Sequence, residues 1–227
     1  GCFVSWAGST VTVNAFHVND RRISGESVTR MRSSVMLLGA ALGRFGEVTM
    51  AYPGGCVIGR RPIDIHLSAL RKMGVEIEEQ EQFFTAKAKR LQGAEIRLPF
   101  PSVGATENVV LAAVTAEGTT VLENAAKEPE IEALCEFLAA AGADIEGIGK
   151  DCLRIKGVEK LHEAKYKVPA DRIVAGTYLT AALAAGGSIF LENAPAGQMQ
   201  TLLAVAEEMG ACVTVNDEGV GVDVIHK

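Results

Sequence analysis

Apolar residues recur at helical spacing in three segments of similar composition, and a short strand-like stretch follows each of them. A glycine stands between each predicted helix and its predicted strand, at Gly46, Gly118 and Gly187. The segments are MRSSVMLLGAALGRFGEVTMAY, ATENVVLAAVTAEGTTVLENA and DRIVAGTYLTAALAAGGSIFLENA. The shared pattern predicts the same helix and strand in three copies of one unit.

A second predicted helix follows each of these strands and also stops at a glycine. The three stops, Gly74, Gly142 and Gly210, are 68 residues apart in both intervals. Further strands in DCLRIKG and VGVDVIHK close the second and third copies, so the unit is predicted as β-α-β-α-β-β. One copy has too few strands to cover its own helices, and the copies are therefore expected to share a core.

A polar, proline-containing stretch, GVEKLHEAKYKVPA, covers residues 157–170 and predicts a link between two domains, 1–168 and 169–227. Residues 173–191 are uncharged, but they contain three glycines and change period halfway, which favours a buried helix and a buried strand over a membrane span. The chain begins GCFVSW, without methionine and inside a predicted strand, which is typical of a fragment.

Composition fits a soluble α/β protein, because 48% of residues are hydrophobic and only 5% are aromatic. The net charge of −6 argues against nucleic acid or an anionic membrane as the main partner. Residues 1–75 nevertheless carry nine Lys or Arg against four Asp or Glu. This excess is mostly arginine, which suits phosphate or carboxylate ligands, although an ordinary solvated face explains it equally well.

The chain has five cysteines, an odd number, with no C-x-x-C pair and no histidine at ligand spacing. This pattern indicates neither a disulfide framework nor a zinc site, and it favours a reducing cytoplasm. Cys135 and Cys212 lie in apolar segments and are predicted to pack in the core.

Cys56 differs because it lies among turn residues, in YPGGCVIGRRPID. Arg60 and Arg61 follow within reach and would stabilise its thiolate, the reactive form of cysteine. A cysteine at a strand edge is the alternative, and the stretch alone leaves both interpretations open.

Three predicted helix starts carry groups that suit an anion. Arg32 opens the first, where the helix dipole disfavours a cation unless an anion is bound, although Glu26 could compensate it. Small residues open the second and leave the backbone N–H groups of Val103 and Gly104 approachable, while a plain Ser102 cap is the simpler explanation. In the third, Asp171 is a predicted N-cap, with Arg172 after it.

Other polar residues have simpler explanations. Glu128 and Glu130 flank Pro129 at a predicted helix start, where acidic side chains suit the dipole. His66 fits a helix face and has no second histidine as a metal partner. Asp64 lies beside the arginine pair and is either a ligand-binding residue or a helix cap.

The stretches PGGCVIGRRPIDIH, SVGATEN, LENAAKEPEI and PADRIVAGT, in this order, resemble the bacterial enolpyruvyl transferases that act on UDP-N-acetylglucosamine in the first committed step of peptidoglycan synthesis. The resemblance covers the whole chain. It implies an inside-out α/β barrel of six β-α-β-α-β-β units in two domains, of which three units are present here. Residues 1–168 would form the cysteine-loop domain without its start, and 169–227 the first unit of the second domain.

The resemblance also implies roles for individual residues. Cys56 would donate a proton to phosphoenolpyruvate, form a covalent adduct with it and be alkylated by fosfomycin. Arg61 would contact both phosphoenolpyruvate and the sugar-nucleotide diphosphate, and Arg32 would lie in the same cleft. The uridine side would be lined by Pro62, Ile63, Asp64 and Ile65, and the diphosphate would meet the backbone of Ser102, Val103 and Gly104.

In this interpretation both substrates are anionic and the reaction needs no metal or other cofactor. A lysine-asparagine pair that the family carries upstream, and an aspartate base and arginines that it carries downstream, are missing from these 227 residues. We therefore expect this chain alone to be inactive, and its oligomeric state is left open. The alternatives are the related transferase for shikimate 3-phosphate, whose members lack the P-G-G-C loop, and a non-catalytic sugar-nucleotide-binding or interaction module.

Overall fold

The structure is a computed structural model that describes residues 2–23, 26–54 and 63–224. The predicted site residues Cys56, Arg61 and Pro62 lie outside the described residues. The chain divides into two compact units, Gly1–Lys165 and Tyr166–Lys227. Each unit is described by itself below.

The first unit opens with a hairpin and continues with one complete repeat. The hairpin pairs strands β1 (Phe3–Ala7) and β2 (Thr10–Asn14). The repeat contains β3 (Arg22–Ile23), α1 (Glu26–Arg30), a 3₁₀ helix (Arg32–Met36), α2 (Leu37–Phe45), β4 (Glu47–Ala51), α3 (Asp64–Lys72), β5 (Glu76–Glu79) and β6 (Phe83–Lys87).

A second repeat completes the first unit, and a third forms the second unit. The second contains β7 (Glu95–Arg97), α4 (Val103–Ala113), β8 (Thr119–Glu123), α5 (Pro129–Ala140), β9 (Asp144–Glu146) and β10 (Cys152–Lys156). The third contains α6 (Arg172–Ala185), β11 (Gly187–Glu192), a 3₁₀ turn (Ala196–Gln198), α7 (Gln200–Glu208), β12 (Cys212–Asn216) and β13 (Gly219–Val224).

The sheets confirm that one unit is repeated. Their strand orders are β3-β4-β6-β5, β7-β8-β10-β9 and β11-β13-β12, so the last three strands of each repeat pair in the same way. In the first two sheets the leading strand is parallel to its neighbour, and the other pairs are antiparallel. A parallel pair requires a crossover, and α2 and α4 provide it.

The regularly spaced glycines confirm the predicted helix stops. Gly74, Gly142 and Gly210 follow α3, α5 and α7 with φ of 83°, 97° and 92°, in the left-handed region that favours glycine. After each, a backbone N–H reaches back five residues to a helix carbonyl, as from Val75 to Leu70. This is the hydrogen bond of a Schellman cap, and it turns the chain into the next strand.

Two of the three other predicted glycine stops need correction. Gly46 does cap α2, with φ of 69°. By contrast, α4 ends at Ala113, and Gly118 lies in the turn that leads into β8. In the third repeat Gly186 ends the helix, and Gly187 is already the first residue of β11.

The core of the first unit lies where α2, α3, α4 and α5 pack on each other and on the sheets; Leu38, Leu70, Phe84 and Val109 are fully buried there. Cys135 is also fully buried, as predicted. The prediction for Cys212 was wrong, because this residue is exposed on β12.

The expectation of a buried helix and a buried strand at 173–191 was right about the elements and wrong about their burial. Helix α6 buries Ala175, Gly176 and Leu179, while Ile173 and Tyr178 are each 58% exposed. A helix that is apolar on all sides needs neighbours on all sides, and the second unit covers only one side. Among the described residues, no helix has the length and apolar character required to cross a bilayer.

Candidate functional site

The first turn of α4 is capped in a way that leaves two backbone donors available. The Ser102 hydroxyl accepts a hydrogen bond from the Ala105 N–H at 3.4 Å, so the serine is an N-cap, as the simpler interpretation had it. Among the described residues, no acceptor contacts the N–H groups of Val103 and Gly104. Together with the helix dipole, such free N–H groups suit a bound anion.

The start of α3 lies beside a small cavity. Asp64 is the first residue of the helix and Ile63 occupies the cap position, so the cap interpretation of Asp64 was wrong. Ile63 buries its side chain in the core, whereas Asp64 is exposed and Ile65 half-buried. The cavity, of about 130 Å³, is lined by Asp64, Ile65, Ser68, Ala69, Lys72, Ile96, Arg97, Leu98 and Pro99.

A buried polar pair joins α3 to α4. The side chain of Asn108, on α4, is 2.8 Å from Nδ1 of His66, on α3, and both residues are buried. The other edge of the imidazole lies against Gly104: a Cβ placed there would be 3.1 Å from its Cε1. The N-terminal turns of α3 and α4 therefore meet at His66.

Arg32 is the remaining part of the candidate site. It is half-buried at the start of the 3₁₀ helix that leads into α2. Burial, and secondarily the positive charge of Arg32, lower the pKa of His66 to about 4, and Asp64 opposes this shift. The 3₁₀ helix that Arg32 opens packs on α4. Glu26, the residue that could compensate Arg32, forms an ion pair with Arg30.

The structure thus brings together most of the described site residues predicted from the sequence. Arg32, the α3 start and the α4 start surround one buried histidine. The residue that sequence analysis missed is Asn108, which is fully buried. The sequence feature that could have identified Asn108 is a polar residue on the buried face of an otherwise apolar helix, because such a residue is expected to be hydrogen-bonded.

Glu107 is a second residue that the sequence analysis did not single out. It is half-buried on α4, and burial, followed by the nearby charge of Glu130, raises its pKa to about 7. Glu130 lies in the first turn of α5, in agreement with the dipole interpretation, and its charge also acts on the carboxyl group of Glu107.

This raised pKa predicts a stability change with pH. The folded protein holds the Glu107 proton more tightly than the unfolded chain, so stability is expected to fall as the pH rises from about 4.5 to about 7. Glu107→Gln should remove this penalty and raise the free energy of unfolding at pH 8 by about 1–2 kcal/mol, after allowance for solvent screening of a half-buried group. Urea unfolding at pH 5 and pH 8 measures the free energy of unfolding of the wild type and the variant.

The control is Glu208→Gln, because Glu208 is an exposed carboxylate. An equal gain in stability in both variants would contradict the raised pKa of Glu107.

The second unit has a groove of about 810 Å³ between α6 and α7. Arg172, Ile173, Thr177 and Thr180 line it, together with residues of the following 3₁₀ turn and α7. Asp171 caps α6 by accepting hydrogen bonds from the N–H groups of Ile173 and Val174, at 2.7 and 3.0 Å, as predicted.

The repeated sheets and the paired helix N-termini define an α/β repeat protein with a candidate anion-binding site in its first unit. Residues 4–225 match the family model described as EPSP synthase (3-phosphoshikimate 1-carboxyvinyltransferase), and the chain belongs to this transferase family.

The similar curated proteins have a different name from the family model. The chain is 45% identical over 219 residues to the UDP-N-acetylglucosamine 1-carboxyvinyltransferase of Oleidesulfovibrio alaskensis, and 48% identical over 217 residues to that of Sphingopyxis alaskensis. These alignments cover 96% and 95% of the chain but 52% and 51% of the relatives. The chain therefore spans about half the length of these relatives, and the resemblance found in the sequence is confirmed.

Solved structures confirm the fold class. The enolpyruvyl transferase NikO from Streptomyces tendae superposes on this chain with a TM-score of 0.83 and is 23% identical to it in sequence. The superposition covers 100% of this chain and 55% of the NikO chain. EPSP synthase from Acinetobacter baumannii gives 0.68 at 21% identity, covering 98% and 54%. At these identities the likeness shows the fold alone.

Proposed function

We propose that this chain provides the sugar-nucleotide diphosphate site and the cysteine loop of a UDP-N-acetylglucosamine 1-carboxyvinyltransferase. The reaction transfers the enolpyruvyl group of phosphoenolpyruvate to the 3-hydroxyl of UDP-N-acetylglucosamine and releases phosphate. It belongs to peptidoglycan synthesis, and hence to cell-wall biogenesis, cell shape and division, in the cytoplasm. The observation that carries the proposal is the meeting of the α3 and α4 N-termini beside Arg32.

This arrangement suits a nucleoside diphosphate. The N–H groups of Val103 and Gly104, which have no acceptor among the described residues, and the guanidinium of Arg32 supply donors and positive charge for the phosphates. The uracil ring is proposed to lie in the cavity beside Asp64 and Ile65, at the start of α3. The relatives that are 45–48% identical, rather than the EPSP synthase at 21%, favour this substrate over shikimate 3-phosphate.

The chemistry requires an acid and an anion clamp. A proton must be delivered to the methylene carbon of phosphoenolpyruvate, and the cationic centre that forms at C2 is captured by the sugar hydroxyl, whose proton passes to a base. The resulting tetrahedral adduct loses phosphate and a methyl proton to regenerate the double bond. Cys56 is proposed as the proton donor and the fosfomycin target, and Arg61 as the residue that binds both substrates; neither role requires a metal.

Calorimetry with UDP-N-acetylglucosamine tests the proposal on this chain. We expect binding by the wild type and an affinity about tenfold or more lower in Arg61→Ala, because a charge-assisted hydrogen bond to phosphate is lost. Arg90→Ala is the matched control, since Arg90 is exposed and pairs only loosely with Glu117, at 4.0 Å. Binding of shikimate 3-phosphate in place of the sugar nucleotide, or binding of neither, would contradict the proposal.

A further inference from the structure

The amide of Asn108 has a fixed orientation. Its Oδ1 accepts a hydrogen bond from the Gly39 N–H at 2.7 Å, and a backbone N–H can only donate. Its Nδ2 donates to the Val35 carbonyl at 2.9 Å, and a carbonyl can only accept. Two independent partners on the 3₁₀ helix and α2 therefore distinguish oxygen from nitrogen in this side chain.

The orientation of Asn108 determines the tautomer of His66. The second hydrogen of the Asn108 amide points to Nδ1 of His66, at 2.8 Å. Because an amide nitrogen only donates, Nδ1 must be the acceptor, and the proton of the neutral ring must be on Nε2. The lowered pKa of His66 keeps the ring neutral at physiological pH.

The Nε2–H group lies at the first turn of α4. A Cβ at Gly104 would be 3.5 Å from Nε2 and 3.1 Å from Cε1, so a side chain at this position would crowd the ring where it lies. His66 is 6% exposed, and its Nε2–Cε1 edge lies against Gly104, in the turn that contains the N–H groups of Val103 and Gly104. The imidazole N–H thus adds a side-chain donor to those of the backbone.

We infer that His66 donates a hydrogen bond from Nε2 to the phosphate group bound at the α4 N-terminus, and that Asn108 is the positioning residue that holds the imidazole in the donating tautomer. The ligand class is a phosphate or diphosphate ester. The inference deepens the proposed function and rests on it for the identity of the natural ligand. It predicts that the two ring nitrogens have separable roles.

Two substitutions separate these roles. The side-chain oxygen of asparagine superposes on imidazole Nδ1, so His66→Asn keeps the acceptor for Asn108 and loses the Nε2 donor. The amide of glutamine reaches the position of Nε2, so His66→Gln keeps a donor there and loses the acceptor. His162→Asn, at an exposed histidine, is the matched control.

The experiment measures the affinity of each variant of the 227-residue chain for inorganic pyrophosphate and for UDP-N-acetylglucosamine. We expect His66→Asn to bind pyrophosphate about tenfold more weakly than the wild type, because a hydrogen bond to a charged group is lost. The affinity of His66→Gln should remain within about threefold of that of the wild type. Long-range ¹H–¹⁵N spectra of the wild type should show His66 protonated on Nε2, and this resonance should shift when pyrophosphate is added. A purely structural histidine would show no such shift.

Several results would overturn the inference: a proton on Nδ1, no pyrophosphate binding, or wild-type affinity in His66→Asn. Pyrophosphate binding with the expected variant pattern, but no binding of UDP-N-acetylglucosamine, would support the role of His66 and reject the proposed natural substrate. Equal binding of UDP-N-acetylglucosamine by all variants would support the proposed natural substrate and reject the role of His66.

Discussion

Replacing Asn108 with alanine is expected to lower the free energy of unfolding by about 3–5 kcal/mol. The side chain is fully buried and makes hydrogen bonds to Gly39, Val35 and His66. Alanine would leave the N–H of Gly39, the carbonyl of Val35 and Nδ1 of His66 without partners in the core, and each buried unsatisfied group costs about 1–3 kcal/mol. The small cavity adds to this loss.

Urea denaturation followed by circular dichroism measures the change. Asn14→Ala is the control, because Asn14 is exposed and its hydrogen bond to the Phe16 N–H can be replaced by water. We expect the control to lose about 1 kcal/mol or less. Equal losses in the two variants would show that the Asn108 hydrogen bonds do not stabilise the joint between the helices.

Replacing Gly39 with alanine is expected to destabilise the first unit by about 2–3 kcal/mol. A Cβ at this position would be 2.3 Å from the backbone oxygen of Asn108 and 2.9 Å from its Oδ1. A helix backbone atom cannot move aside as a flexible side chain can, so α2 and α4 must separate. The gain in helix propensity from glycine to alanine, about 1 kcal/mol, offsets only part of this cost.

The matched control is Gly197→Ala, since a Cβ at Gly197 meets no atom within 4 Å. We expect a shift of the thermal midpoint of several degrees in Gly39→Ala and almost none in the control. An unchanged midpoint in Gly39→Ala would mean that the two helices are farther apart than the structure has them.

The repeat was predictable because its signals are local. Glycine ends a helix through its own backbone conformation, so the 68-residue spacing of Gly74, Gly142 and Gly210 could be recognised without knowledge of the fold. Gly118 shows the limit of this argument. It adopts a positive φ in a turn after the helix, and sequence alone does not separate that turn from a helix cap.

The candidate site was predictable only in part, because its geometry is tertiary. The helix starts at Arg32, Asp64 and Ser102 could be located from turn and cap residues, but nothing local shows that they meet. The contacts that bring them together run through Asn108, whose partner Gly39 is 69 residues away in the chain. The exposure of α6 was missed for the same reason, since periodicity does not state how many neighbours a helix has.

The contact between α2 and α4, through Gly39 and Asn108, also has a consequence for the order of folding. Within the described residues, every paired strand has its partner in the same repeat or hairpin, so each sheet closes shorter loops than the contact between α2 and α4 does. Docking of α2 on α4 must close a longer loop, at a higher cost in chain entropy. We therefore expect the two sheets of the first unit to form before the helices dock. The candidate anion site, which requires the docked arrangement, would then be the last part of this unit to form.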